Sequence, residues 1–188
     1  MNTALTIGGF TGHSATPTHV HAAIWFDLDG TLLPFPEYDA VLSRACAAVG
    51  VEAVDAFADA YNEAFFERLN ALDPKPYRRA AESALASLDA DAPADPEAFV
   101  AALRTAEYEA MRPPDEVRAT LSALSAAADY RVGVCTNGVG SGQRDKLDPA
   151  GSADLAAAPV ASYEAGAPKP DPAPRERPAS RLPAAVAL

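Results

Sequence analysis

Two carboxylates, Asp27 and Asp29, stand one residue apart in "WFDLDGTLL", at the end of an apolar run and before a Gly-Thr turn. Acids at the tip of a buried strand are costly unless chemistry uses them. Further along, "YRVGVCTNG" ends in Thr136, Asn137 and Gly138, and "GAPKPDP" carries Lys169. In an open parallel sheet, ligands bind beyond the carboxyl ends of the strands. Residues that each follow a strand therefore converge at one sheet edge. Two acids, a hydroxyl and a lysine gathered there suit phosphoryl transfer. One aspartate can attack phosphorus to form an aspartyl-phosphate. A second acid can protonate the leaving oxygen and later deprotonate water. A lysine and a magnesium ion would offset the accumulated negative charge. Taken singly, Asp-Gly and "TNG" are ordinary turns and Lys-Pro an ordinary loop; it is their order along the chain, each after a strand, that carries the argument.

The elements that must position these residues are legible in the pattern of apolar residues. "AAIWF" and "YRVGVCT" are continuous apolar runs of strand length, and a third strand is expected at Ala158 to Ser162. Val41, Leu42, Ala45, Cys46 and Val49 form a helical stripe closed by Gly50. Val54, Phe57, Tyr61, Phe65, Leu69 and Leu72 form another, with Asp55, Asp59, Glu63 and Glu67 on the opposite face. A third helix is expected from Asp73-Pro74 through Tyr77, Ala81, Ala84 and Leu88, with Pro76 delaying its start. Asp95-Pro96 opens a fourth through Phe99, Leu103 and Met111. Pro113-Pro114 ends that block, and Val117, Leu121, Leu124 and Ala128 form the next stripe. "SGQRDKL" suits a short helix. Strands alternating with helices indicate an α/β class. The expected organisation is a Rossmann-like parallel-sheet core at 22–36 and 113–171, with residues 37–112 inserted as a helical-bundle cap.

The three motifs in this order resemble those of the haloacid dehalogenase superfamily, over roughly Ala22 to Pro172. That resemblance implies Asp27 as nucleophile and Asp29 as general acid and base. It implies that Thr136 holds a phosphate oxygen, that Asn137 and Gly138 shape the loop around the phosphate, and that Lys169 stabilises Asp27 and the phosphate. Magnesium would take a side-chain oxygen of Asp27 and the backbone carbonyl of Asp29. True dehalogenases of the family lack an acid at the position of Asp29, so the resemblance favours a phosphatase-type hydrolase acting on a small phosphorylated substrate. The gap from position 27 to position 136, 109 residues, resembles the subfamily with a helical cap after the first motif. Glu164, in the run-up to the lysine, is expected to be structural. A phosphomutase, which shares the aspartyl-phosphate, is the catalytic alternative.

Composition narrows the class. The 188 residues carry a formal charge of −11, with only three lysines, Lys75, Lys146 and Lys169. An acidic, lysine-poor, alanine-rich chain resembles proteins of salt-loving organisms, whose carboxylates keep the surface hydrated. Acidity argues against a nucleic-acid partner but not against a small phosphate ester beside a cation. Cys46 and Cys135 fall in apolar segments and are expected as buried, reduced thiols. No apolar run reaches membrane-spanning length. The first 21 residues contain no Lys, Arg, Asp or Glu and lack signal-peptide architecture. They are expected as a flexible tail of a cytoplasmic protein; their His13, His19 and His21 have no acid or thiol beside them for a metal site.

The ending differs. Pro172, Pro174, Pro178 and Pro183 forbid a regular helix there, and three Arg against Glu176 make it +2. We expect an irregular tail produced by a frameshift or early stop, lacking the family's fourth, acidic motif and later strands. The core would then be incomplete at its C-terminus, its first strand poorly covered and activity impaired. A non-catalytic remnant or interaction protein is the corresponding alternative. Asp171 is expected to lie too near Lys169 to replace the missing ligand.

Overall fold

The computed structural model describes residues 22–88, 94–127, 130–147, 160–171 and 173–174. The expected N-terminal tail with its three histidines, and the irregular ending beyond 174, lie outside the described residues.

Three parallel strands form one sheet in the order β1 (Ala22–Phe26), β2 (Tyr130–Thr136), β3 (Val160–Ala161). β1 and β2 pair from Ala22↔Tyr130 to Phe26↔Val134, and β2 meets β3 at Cys135↔Val160 and Thr136↔Ala161. The register places Trp25 opposite Gly133. A Cβ at 133 would sit 2.2 Å from the indole, so the glycine is what lets Trp25 lie across β2. From Val132 to Thr136 β2 is buried, as a strand covered on both faces must be, whereas Ile24 to Phe26 of β1, at the sheet edge, are half-buried. The third strand is shorter than expected. Residues 158 and 159 lie outside the described set, and Ser162 already opens the short helix α7 (Ser162–Ala165).

The remaining helices are α1 (Tyr38–Val49), α2 (Val54–Asn70), α3 (Pro76–Ser87), α4 (Pro96–Ala110), α5 (Asp115–Ala126) and α6 (Gly140–Leu147). Local chemistry sets their ends. Gly50 closes α1 at φ 76°, where a side chain would be strained. The Asp95 side chain accepts from the Ala98 amide, capping α4, with Pro96 in its first turn. α3 begins at Pro76 rather than at Asp73-Pro74: the Asp73 carboxylate instead accepts from the Lys75 amide and pairs with Arg79. Leu72 lies past the end of α2 at φ 53°, so the stripe runs two residues beyond its helix.

Two separate apolar cores result. One joins α1 to α4 around Leu42, Phe57, Tyr61, Ala81, Phe99 and Leu103. The other joins the sheet, the loop after β1, α5 and α6 around Leu28, Leu33, Leu121, Val134 and Leu147. The helical insert thus has an interior of its own. Its aromatic centre is tight: Phe57 and Tyr61 both meet Phe99 edge-on, with centroids 4.7 and 5.2 Å away. Cys46 and Cys135 are buried and lie outside any disulfide, as expected, and the Cys135 thiol donates to the Pro174 carbonyl at 3.6 Å. Among the described residues no helix is long and apolar enough to cross a membrane.

Candidate active site

β1 ends at Phe26, and the chain turns at once. The amides of Thr31, Leu32 and Leu33 all donate to the Leu28 carbonyl, and Gly30 supplies φ 80°. A Cβ at Gly30 would meet the Phe35 ring at 2.4 Å. This tight turn sets Asp27 and Asp29 at the carboxyl end of the sheet.

Asp27 Oδ1 accepts from the Leu28 amide at 2.8 Å and lies 2.8 Å from Lys169 Nζ. The Lys169 ammonium also donates to the Cys135 carbonyl at 3.0 Å, at the end of β2. Asn137 fixes the lysine's backbone from both sides: its Oδ1 accepts from the Lys169 amide at 2.7 Å and its Nδ2 donates to the Lys169 carbonyl at 3.3 Å. Residues 32 positions apart are thereby locked together, and the lysine is aimed at Asp27.

Asp29 is held by groups that the motifs did not single out. Lys146 Nζ lies 3.1 Å from Asp29 Oδ1, and Gln143 Nε2 donates to Asp29 Oδ2 at 2.9 Å. Both come from one face of α6, three positions apart. Gln143 Nε2 also approaches Thr136 Oγ1 at 3.2 Å and the Asn137 carbonyl at 2.7 Å, while its buried Oε1 has no partner among the described residues. Lys146 reaches further, to Glu107 Oε1 of α4 at 3.0 Å. Burial alone would depress the Lys146 ammonium. Glu107 and Asp29 outweigh that and raise it above its ordinary value.

Of the expected site residues, Asp27, Asp29, Thr136, Asn137, Gly138 and Lys169 thus gather at one end of the sheet. Thr136 is almost fully buried, reached by Gln143. Gly138, at φ 142°, donates its amide to Ser162 Oγ at 3.0 Å. Glu164 pairs with Arg144 across α7 and α6, a structural contact. Asp171 is exposed, and its Oδ1 accepts from the Ala173 amide.

Three residues escaped the motif reading. Glu107 had a readable signal: it falls four positions after Leu103 and four before Met111, an acid on the apolar stripe of α4. Gln143 and Lys146 had a weaker one, polar residues at helical spacing just after a strand-end turn.

Hard oxygen donors suit magnesium. Among the described residues neither Asp27 Oδ2 nor the Asp29 carbonyl accepts a hydrogen bond, so two such oxygens are available, as the sequence expectation requires. No group of three or more His, Cys, Asp or Glu side chains is gathered for a metal among the described residues. A magnesium ion here would complete its shell with substrate phosphate and water, its usual habit.

Between this end of the sheet and the helical insert lies a cavity of about 520 Å³. Asp29, Asn137, Gly138, Gln143, Lys146 and Glu107 form its polar end.

A parallel sheet with two acids and a lysine at its carboxyl edge thus faces a helical insert across a cavity. The model of the haloacid dehalogenase-like hydrolase family matches residues 24–176, and the chain belongs to that family. No curated protein sequence matches it. Among solved structures it is similar to the L-2-haloacid dehalogenase RSc1362 (20% identity, TM-score 0.59, covering 88% of this chain and 75% of that one). It is also similar to the magnesium-bound HAD-hydrolase YfnB from Bacillus subtilis (17%, 0.58, 87% and 73%). A third similar structure is the 2-haloacid dehalogenase of Pseudomonas syringae pv. Tomato DC3000 (24%, 0.55, 85% and 72%). At these identities the likeness is one of fold.

Proposed function

We propose that the protein hydrolyses phosphate monoesters through an aspartyl-phosphate on Asp27, with residues 37–112 acting as the cap over the reaction. The observation that carries this reading is the second acid. Asp29 sits two residues from the nucleophile, at the cavity, with both carboxylate oxygens held by Lys146 and Gln143. A carbon–halogen bond needs no proton on its leaving halide, whereas an alkoxide leaving from phosphorus does.

In the first step an Asp27 carboxylate oxygen bonds to phosphorus as the ester oxygen leaves with its electron pair and takes a proton from Asp29. In the second, Asp29 takes a proton from water as the water oxygen bonds to phosphorus and Asp27 is released. Lys169 keeps positive charge against Asp27 Oδ1 throughout. Thr136, Asn137 and Gly138 shape the phosphate end. Magnesium, held by Asp27 and the Asp29 carbonyl, would supply charge stabilisation at the phosphoryl oxygens. The helical insert excludes bulk water while the phosphoryl group transfers.

A dehalogenase is the second reading, since solved structures of similar fold carry that activity in their names. The test measures phosphate release from an aryl phosphate with magnesium beside halide release from 2-chloropropionate. Ester turnover lost in Asp29→Asn supports the proposal. Halide release that survives Asp29→Asn, with no ester turnover, overturns it. Appearance of label at a second position of a sugar phosphate rather than in free phosphate identifies a mutase instead.

A further inference from the structure

The cavity beside Asp29 changes character away from its polar end. Phe35, Phe65, Phe66, Leu69, Tyr77 and Met111 line most of the rest, together with Pro36, Tyr38 and Asn62. Three of these form a continuous aromatic wall. Phe65 meets Phe66 at 5.5 Å and Tyr77 at 4.7 Å between centroids. Phe35 and Phe66 are 73% and 58% exposed, the large apolar side chains among the described residues that stay in solvent. They come from opposite sides, Phe35 from the loop after β1 and Phe66 from α2, yet both border this one cavity. Scattered exposed apolar residues need no explanation; two that converge on a concave apolar site mark a ligand surface.

The charges point the same way. The charged residues lining the cavity are Asp29, Glu107 and Lys146, and Lys146 bonds both acids. Among the described residues that line it there is no arginine and no second lysine to receive a carboxylate or a second phosphate. The volume lies within the range of small-molecule sites.

We propose that this cavity takes the uncharged, largely apolar leaving group of the substrate, an alcohol or phenol of one or two rings, with the aromatic wall against its face and its ester oxygen towards Asp29. The assignment of the ester end rests on the phosphatase reading above; that of the apolar occupant rests on the cavity alone.

Binding of 1-naphthol, followed by calorimetry without magnesium or phosphate, tests the occupant independently of catalysis. The same protein is then assayed on 1-naphthyl phosphate and glycerol phosphate. Phe66→Ala and Phe35→Ala are suitable variants because both side chains are exposed; unchanged melting temperatures check their folding. Naphthol binding should weaken about tenfold in Phe66→Ala, and the preference for naphthyl over glycerol phosphate should fall by a similar factor, with Phe66→Leu between. No naphthol binding, or equal binding by wild type and both variants, overturns the inference. Equal turnover of the two esters overturns it also. Naphthol binding that depends on Phe66, with no ester hydrolysed, upholds the apolar occupant and overturns the phosphatase reading.

Discussion

Lys146 of the α/β core and Glu107 of the helical insert meet at 3.0 Å, each side chain only 6% exposed. The same ammonium reaches Asp29 at 3.1 Å. One buried cation therefore ties α4, α6 and the turn after β1 together. A buried charge left alone is far costlier than a buried pair.

Removing either partner should therefore be severe. Glu107→Ala is expected to cost about 3 kcal/mol. Lys146→Met should cost at least as much, because it leaves two carboxylates facing one another. The double variant should be more stable than the sum of the two losses predicts, by about 1 kcal/mol or more. Urea denaturation of the four proteins measures this; strict additivity would mean that the pair carries no coupling.

If Asp27 is the nucleophile as proposed, Asp27→Asn should lower ester turnover by several decades. Lys169→Met should lower kcat by about a hundredfold, through loss of preorganised charge beside Asp27. Steady-state kinetics on both variants, with circular dichroism to verify folding, decide the matter. Near-wild-type turnover by Asp27→Asn would remove Asp27 from the mechanism.

Gly138→Ala should harm the site more than its size suggests. At φ 142° a side chain is strained, and the new Cβ would stand 2.7 Å from Gln143 Nε2. Gln143 is buried and holds Asp29, so it cannot yield without loosening that acid. A loss of about 1–2 kcal/mol with a fall in kcat is expected, read by thermal melting and kinetics. An unperturbed variant would show that the loop tolerates the change.

Tyr61 lies in the core of the insert with a buried hydroxyl that has no partner among the described residues. Burial pushes its phenol well above the ordinary value of 10.0. The folded state therefore keeps the proton at pH values where the unfolded chain releases it. Stability should be constant in this respect below pH 10.0 and should fall as pH rises beyond it. Tyr61→Phe should raise stability by about 0.5–1 kcal/mol at neutral pH and flatten the alkaline decline. Denaturant unfolding at pH 8 and at about pH 11 checks both; a variant less stable than wild type at pH 8 contradicts the unpartnered hydroxyl.

Much of this was settled by the sequence itself. The runs ending at Asp27 and Thr136 read as strands because they are short and mostly apolar, although only Val132 to Thr136 are buried throughout. Gly50, Asp95-Pro96 and Pro76 set helix ends because φ and capping are local properties. The order of "DLDGT", "TNG" and "GAPKPDP" was enough to bring Asp27, Asn137 and Lys169 to one sheet edge, since parallel strands leave their carboxyl ends together. What only tertiary structure decided was how those residues are held. Glu107 and Lys146 stand 39 positions apart on different helices, and neither turn nor periodicity pairs them. Gln143 reaches Asp29 across 114 positions. The convergence of Phe35 and Phe66 on one cavity depends on where α2 stands relative to the loop after β1. Such contacts follow from the packing of elements, which periodicity within each element does not specify.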